Sequence, residues 1–559
     1  MFAFSYSNLL SWFTTQYPDA YLVSDYSIRY FTLAHYACIR QAAPFLILLL
    51  LSAVIVLLLK RRGIAVFFSR LISDSGTVIR IVKESFFDLS FVQRAVLAIS
   101  FIFLLAIKIY LFIALPYQVD EVFNFVFFID KGPLHISIFS NNHVLYNLIA
   151  SFWWKWTGDP VLASRLTSIL SGMLIHVLLY AVVKYFFDFG SALFVLLFTG
   201  LTFWTTIYSV EGYSYTLMAL CWLISVISLL LHFKDHSRGY GLYILSCVLG
   251  FYCSKLFIIP FMSTVMVWVI VGLYQGQKGR MVTIIATTLL VLFLSALLYL
   301  PMLLWSGANA FFGIDSVRHD FILKSPILLE IFSVMTEVNS KSYLLLAGVL
   351  LLSVICFRRA NEKLKILIVL NISTLFTLVL FILITHVYPP SRAFIYTTIL
   401  FYTLLAVAIA SFAPVAVMVK SRSSAVVAIL LLVMKVWSSM YLFNNGWQKT
   451  NGSLQDNYFY ERLTKQTNCI LIHHPRFIFT DRQDEYLNFY LRLAAIREGI
   501  DLTFTCNPGD MLKCDLAILH DTPLNNAHYV RSGKEDEFGV IYLHQRLLKP
   551  VSKSDGNCF

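Results

Sequence analysis

The chain has 559 residues, 58% of them hydrophobic and only 13% charged, with a mean hydropathy of +0.74. That much apolar surface cannot be hidden in one aqueous core, so a soluble globular protein is excluded and a polytopic α-helical membrane protein is indicated. The formal net charge of +12 is carried mostly by loops between apolar blocks and requires no nucleic-acid partner.

Apolar blocks of about the 20 residues that cross a hydrocarbon layer recur along the chain, giving about twelve spans. They are read at 42–60, 95–116, 162–186, 190–209, 213–233, 239–253, 256–274, 281–303, 343–357, 366–386, 393–418 and 424–443. Two of these, 239–253 and 343–357, are short, and the first is placed to form a tight hairpin with 256–274. The first 40 residues lack a basic start followed by an apolar core, so no cleavable signal peptide is expected there. Between the first two spans, Lys60, Arg61, Arg62, Arg70, Arg80, Lys83 and Arg94 alternate with Phe67, Phe68, Leu71, Ile79, Ile81, Phe86 and Phe87, the mixture found in helices that lie on anionic lipid.

Further basic clusters, at Lys234 and Arg238, Lys278 and Arg280, Arg358 to Lys365, and Lys420 and Arg422, fall in every second loop. Positive charge at helix ends is retained on the cytoplasmic side, so the alternate loops near 117–161, 304–342 and 386–392 face outward. The expected domains are therefore 1–94, an outward segment with one extra span and a basic cytoplasmic loop; 95–445, the transmembrane catalytic unit; and 446–559, a small outward α/β domain. In the last, strands are expected at Cys469–His473, Leu502–Cys506, Asp515–His520 and Val540–Gln545, with a helix over Asp484–Glu498. Cys38, Cys221, Cys247, Cys253 and Cys356 read as small apolar fillers, Cys506 with Cys514 is the favoured disulfide, and no cysteine or histidine spacing suggests zinc.

Chemistry is expected in the first large outward loop. Asp120 and Glu121 follow directly on the apolar run Val96 to Pro116, in a chain whose spans are almost empty of acids. Further on come Asn142-His143-Val144-Leu145-Tyr146, Gly158, and Arg165-Leu166-Thr167-Ser168, with helical apolar patterns at 123–128 and 145–153 that suit helices lying flat at the membrane surface.

These motifs, in this order, resemble the integral-membrane glycosyltransferases of the GT-C superfold, especially bacterial protein O-mannosyltransferases and lipid A aminoarabinose transferases. Those proteins carry an acidic pair after a transmembrane helix, an Asn/His-Pro-Leu-Tyr-like stretch, then Gly and Arg-Leu-x-Ser at the start of the next helix. Val144 stands where relatives commonly have proline. Val210-Glu211-Gly212-Tyr213-Ser214-Tyr215 and Pro389-Pro390-Ser391-Arg392-Ala393-Phe394 extend the likeness, which covers roughly 95–400.

The resemblance implies a GT-C fold in a bacterial inner membrane, with the site and the C-terminal domain periplasmic. It also implies transfer of a sugar from a polyprenyl-phosphate donor to a lipid, glycan or protein acceptor. In that chemistry Asp120 takes the acceptor proton, Glu121 binds a sugar hydroxyl or fixes the base, and Arg392 holds the departing phosphate with help from Lys255. His143, Tyr146, Arg165, Glu211 and Tyr213 are expected around the substrate. No cofactor is required, no metal ligands are assigned, and a divalent cation is left open.

Each residue also has a plainer reading. An acidic pair at a helix mouth is often a solvated cap, Arg165 suits an ion pair with an acid of the same loop, and His143 suits a hydrogen-bonded interfacial histidine. Glu211 is equally suited to an ion pair, while Lys255 and Arg392 fit interface anchors. Twelve spans also fit a secondary transporter or a lipid-linked-sugar flippase, although no repeat relates the two halves and the acids gather at one surface.

Overall fold

The computed structural model describes residues 5–9, 11, 32–59, 61–115, 121, 124–138, 143–236, 238–275, 280–312, 362–385, 389, 391–412, 477–480, 491, 503–505, 516–519, 529–536 and 539–544. Asp120, the expected spans 343–357 and 424–443, the strand at 469–473, the 484–498 helix apart from Leu491, and the Cys506–Cys514 pair lie outside the described residues. Helices α1 (Leu33–Leu59), α2 (Arg61–Phe87) and α3 (Phe91–Ala114) open the chain. Helices α4 (Pro133–Ile138) and α5 (Val144–Thr157) occupy the large loop, after one π-helical turn at Phe125–Ile129. Then follow α6 (Pro160–Phe186), α7 (Phe189–Gly200), α8 (Phe203–Tyr208), α9 (Tyr215–Lys234), α10 (Tyr240–Cys253) and α11 (Ile258–Tyr274). Helices α12 (Arg280–Leu298), α13 (Leu300–Phe312), α14 (Glu362–Thr385) and α15 (Ile395–Phe412) complete the helical part.

Six described helices are long and apolar enough to cross a membrane: Phe91–Ala114, Pro160–Phe186, Tyr215–Lys234, Lys255–Tyr274, Met281–Leu298 and Leu364–Thr385. Their burial sorts them. The core of α9 is 83% buried, against 28% for α3 and 22% for α12, so α9 is the central post and the other two present apolar side chains outward. Composition explains the difference: α9 carries Ala219, Cys221, Ser225 and Ser228 at its contacts, and small residues let helix backbones approach where lipid supplies no hydrophobic drive. The Ser225 and Ser228 hydroxyls donate to the Trp222 and Ile224 carbonyls at 2.7 Å each, so neither is left unsatisfied.

Helix ends follow their capping residues. Ser90 and Gln93 form a reciprocal capping box at α3, and the Asp159 carboxylate accepts from the Val161 and Leu162 amides at 2.8 and 3.0 Å, with Pro160 in the first turn of α6. Gly158, at φ +64°, ends α5 and turns the chain into α6.

Two expectations are corrected. The span read at 190–209 is two helices, α7 and α8, broken at Leu201 and Thr202. Threonine hydroxyls cause the break: Thr202 and Thr205 donate to the Thr199 carbonyl and Thr206 donates to the Gly200 carbonyl at 3.0 Å, taking acceptors that a continuing helix would use. The span read at 281–303 ends at Leu298, and α13 bends at Gly307, whose φ of +79° is left-handed. The short span at 239–253 is α10, and Ser254 turns it sharply into α11 as the hairpin reading expects. The basic stretch after residue 60 is a continuous helix, α2, that packs on α6 and α10, where Ser85 donates to the Ala181 carbonyl at 3.0 Å.

Strands β1 (Phe477–Thr480), β2 (Thr503–Thr505), β3 (Leu516–Leu519), β4 (Tyr529–Asp536) and β5 (Gly539–His544) form one mixed sheet in the order β2-β1-β3-β5-β4. The β1 strand pairs in parallel with β2 and β3, while β5 runs antiparallel to β3 and β4. Strands expected around 502–506, 515–520 and 540–545 are present; β1 and β4 lie where none was expected.

Candidate functional site

The non-helical stretch from Ser209 to Ser214, between α8 and α9, is the meeting point of the polar residues. Glu121 reaches it from the chain after α3. Its carboxylate is fully buried and forms a two-pronged ion pair with Arg165 of α6: Arg165 Nε to Glu121 Oε1 at 2.9 Å and Nη2 to Oε2 at 2.8 Å. The Gly212 amide donates to the same Oε1 at 2.5 Å. Arg165 Nη1 donates to the Phe112 and Leu115 carbonyls at 3.0 and 2.9 Å, satisfying the open C-terminal end of α3. One ion pair thus ties the end of α3, the start of α6 and the entry to α9.

Only glycine fits at 212. A Cβ there would stand 2.9 Å from both Glu121 Oε1 and the Ser164 carbonyl oxygen. The same region holds Tyr146 of α5, which is fully buried and donates to the Ser164 carbonyl, with Ser168 Oγ 3.1 Å away. Ser168 in turn donates to the Tyr213 carbonyl at 3.2 Å. Burial, reinforced by the Glu121 and Glu211 carboxylates, pushes the Tyr146 phenol well above its ordinary range, so it stays a neutral donor. Glu211 is itself buried at 5% exposure.

Around this buried centre sits a partly exposed layer of His143, Tyr213, Lys255 and Arg392. His143 Nδ1 lies 2.7 Å from Ser214 Oγ and 3.1 Å from the Cys253 carbonyl oxygen, and its ring packs on Tyr213 with centroids 4.4 Å apart. The Arg392 guanidinium lies over Tyr213 and Tyr215, at 5.1 and 5.8 Å from their ring centroids. Burial, joined by the Arg392 and Lys255 charges and opposed by the Cys253 bond, lowers the His143 pKa to about 4. The imidazole is therefore neutral at pH 7, and the two cations flank it. What they offer in common is an anion site on an aromatic floor.

Eight of the nine expected site residues, Glu121, His143, Tyr146, Arg165, Glu211, Tyr213, Lys255 and Arg392, thus fall in one neighbourhood; the ninth, Asp120, adjoins Glu121 in the chain. Their roles divide. Glu121 and Arg165 direct their polar atoms to each other and to backbone, and Tyr146 directs its hydroxyl to the Ser164 carbonyl and the Ser168 hydroxyl; all three are buried, and for the two charges the pairing offsets the cost of burial. The ion-pair reading of Arg165 is the one realised. The sequence reading missed Gly212, Ser214, Tyr215 and the Cys253 carbonyl. The run Glu211-Gly212-Tyr213-Ser214-Tyr215 carried a signal for the first three, a glycine amid polar and aromatic residues at a helix start. A backbone carbonyl carries none. Among the described residues, no group of three or more histidine, cysteine, aspartate or glutamate side chains is arranged to hold a metal.

No protein-family profile and no curated protein matches the chain. Among solved structures, ArnT from Cupriavidus metallidurans bound to undecaprenyl phosphate is similar with a TM-score of 0.52 at 12% identity, over 80% of this chain and 99% of that one. This chain has the GT-C fold. The apo crystal structure of the same ArnT is similar at 13% identity and a TM-score of 0.48, over 74% of this chain and 89% of that one.

Proposed function

We propose that this protein is an inverting glycosyltransferase that moves a sugar from a polyprenyl-phosphate donor to a lipid, glycan or protein acceptor, on the periplasmic side of a bacterial inner membrane. The observation that carries the reading is the placing of the Arg392 and Lys255 charges about neutral His143, a cationic seat one helix entry away from Glu121, the chain neighbour of Asp120. Support comes from the fold shared with an ArnT whose structure holds undecaprenyl phosphate.

In this reading Asp120 is the catalytic base. It takes the proton of the acceptor hydroxyl or amine as the acceptor atom bonds to the anomeric carbon, while the bond from that carbon to the phosphate oxygen breaks and its electron pair leaves with the polyprenyl phosphate. One carboxylate opposite one leaving group means one in-line displacement, hence inversion. Arg392 and Lys255 stabilise the charge that grows on the leaving phosphate. Glu121 is a positioning residue: locked by Arg165 and Gly212, it anchors the chain next to Asp120 in sequence. The twelve spans, the catalytic unit at 95–445 and the periplasmic α/β domain at 446–559 are part of the same proposal, as is the outward face of the site.

The test uses the purified full chain in proteoliposomes with radiolabelled undecaprenyl-phosphate-linked sugars and a membrane extract as acceptor. The proposal expects label on an acceptor and free undecaprenyl phosphate, with Arg392→Ala raising the apparent donor KM. Label that crosses the bilayer intact on undecaprenyl phosphate would instead identify a carrier and overturn the proposal.

A further inference from the structure

A cavity of about 570 Å³ opens at the end of α9 opposite the candidate site, walled by α6, α9, α14 and α15. Its wall is apolar from Trp222 through Val226 to Leu230 along α9, and the Thr403 hydroxyl within it is satisfied by the Ile399 carbonyl at 2.7 Å. The charged groups collect at one mouth. There Lys234 donates to the Tyr185 hydroxyl at 2.6 Å, with its ammonium 4.7 Å from the Tyr185 ring centroid, and Glu362 stands at the start of α14.

We propose that this cavity binds one phosphatidylethanolamine molecule, with an acyl chain inside, the phosphate on Lys234 and the ammonium on Glu362. The volume lies in the range of small-molecule sites. From Trp222 to Lys234 the wall runs about 18 Å along the helix axis, and a lipid tail crosses a leaflet of about 15 Å. The headgroup follows from charge. Among the described residues Lys234 and Glu362 form no ion pair with each other, so they share a mouth without neutralising each other. A headgroup with phosphate alone leaves Glu362 facing an anion, and a choline headgroup has no N–H to donate to it. A headgroup with a phosphate and a primary ammonium answers both residues, and a serine headgroup, which also has both, would set its extra carboxylate against Glu362. The mouth is at the end that the lysine and arginine distribution assigns to the cytoplasm, distinct from the sugar-transfer site at the other end of α9.

The test is photolabelling of the full chain in phosphatidylcholine nanodiscs doped with phosphatidylethanolamine bearing a diazirine on one acyl chain. Labelled peptides from α9 and α14 are expected, several-fold above those from phosphatidylglycerol or phosphatidylcholine probes. Leu230→Trp should fill the cavity and remove the label. Glu362→Lys, at an exposed helix end, should reverse the preference toward phosphatidylglycerol. Equal labelling by all three probes in the wild-type chain, or an unchanged preference in Glu362→Lys, would overturn the proposal.

Discussion

Neutralising Glu121 by Glu121→Gln is the sharpest structural perturbation available in the buried network. Arg165 is 1% exposed, and its guanidinium has no water to retreat to when its partner loses charge. A glutamine retains one oxygen for Arg165 Nε and the Gly212 amide, but it turns an N–H toward Arg165 Nη2, which sits 2.8 Å from the second oxygen in the native chain. Breaking a buried pair from one side costs about 3–5 kcal/mol, and a comparable loss is expected for Arg165→Met, which takes from the Glu121 carboxylate and the Phe112 and Leu115 carbonyls the bonds that Arg165 donates. The double variant removes both charges together. Its loss should fall short of the sum of the single losses by about 2–3 kcal/mol. The assay is unfolding of all four proteins in one mild detergent, followed by tryptophan fluorescence against denaturant. Additive losses within about 0.5 kcal/mol would mean that the pair is not the clamp described.

Three other outcomes are expected. Gly212→Ala places a Cβ 2.9 Å from Glu121 Oε1 and should destabilise by about 1–3 kcal/mol, measured in the same unfolding assay; unchanged stability would mean that the Ser164 and Glu121 contacts are loose. Lys108→Met should leave stability unchanged or raise it by about 1 kcal/mol, because Lys108 is 1% exposed within α3 and its ammonium meets only the Ser209 hydroxyl among the described residues; a clear loss would argue that the lysine is compensated. His143 has a folded pKa of about 4, below its ordinary 6.5, so its neutral form contributes stability that is fully present above 6.5 and is lost as pH falls through 4. His143→Phe should flatten the fall in stability between those pH values, and an equal slope in both proteins would remove the assignment.

The outline of the fold was legible because hydropathy and lysine and arginine placement act over whole segments. The central position of α9 was not, since it depends on how the helix packs against α10, α6, α11 and α15 together, with Ala219, Cys221, Ser225 and Ser228 buried. The break in the 190–209 block was hidden for a related reason: Thr199, Thr202 and Thr205 have little effect on mean hydropathy, yet their hydroxyls redirect the backbone bonds. In the site, residue identity was readable and residue role was not. Glu121 and Asp120 are alike as letters, and only the reach of Arg165 across 44 residues separates the buried anchor from the proposed base. Tyr146 was named for its letter in the motif, and nothing in that letter told that its buried hydroxyl donates to the Ser164 carbonyl.

The central claim is that Asp120 accepts a proton from the acceptor while Glu121 merely holds it in place. Single-turnover transfer from an undecaprenyl-phosphate-linked sugar by Asp120→Asn measures this most directly, alongside binding of undecaprenyl phosphate to the same preparation. The account predicts a fall in the chemical step of about 10²–10⁴-fold with affinity for undecaprenyl phosphate unchanged. Transfer by Asp120→Asn at the wild-type rate would contradict it.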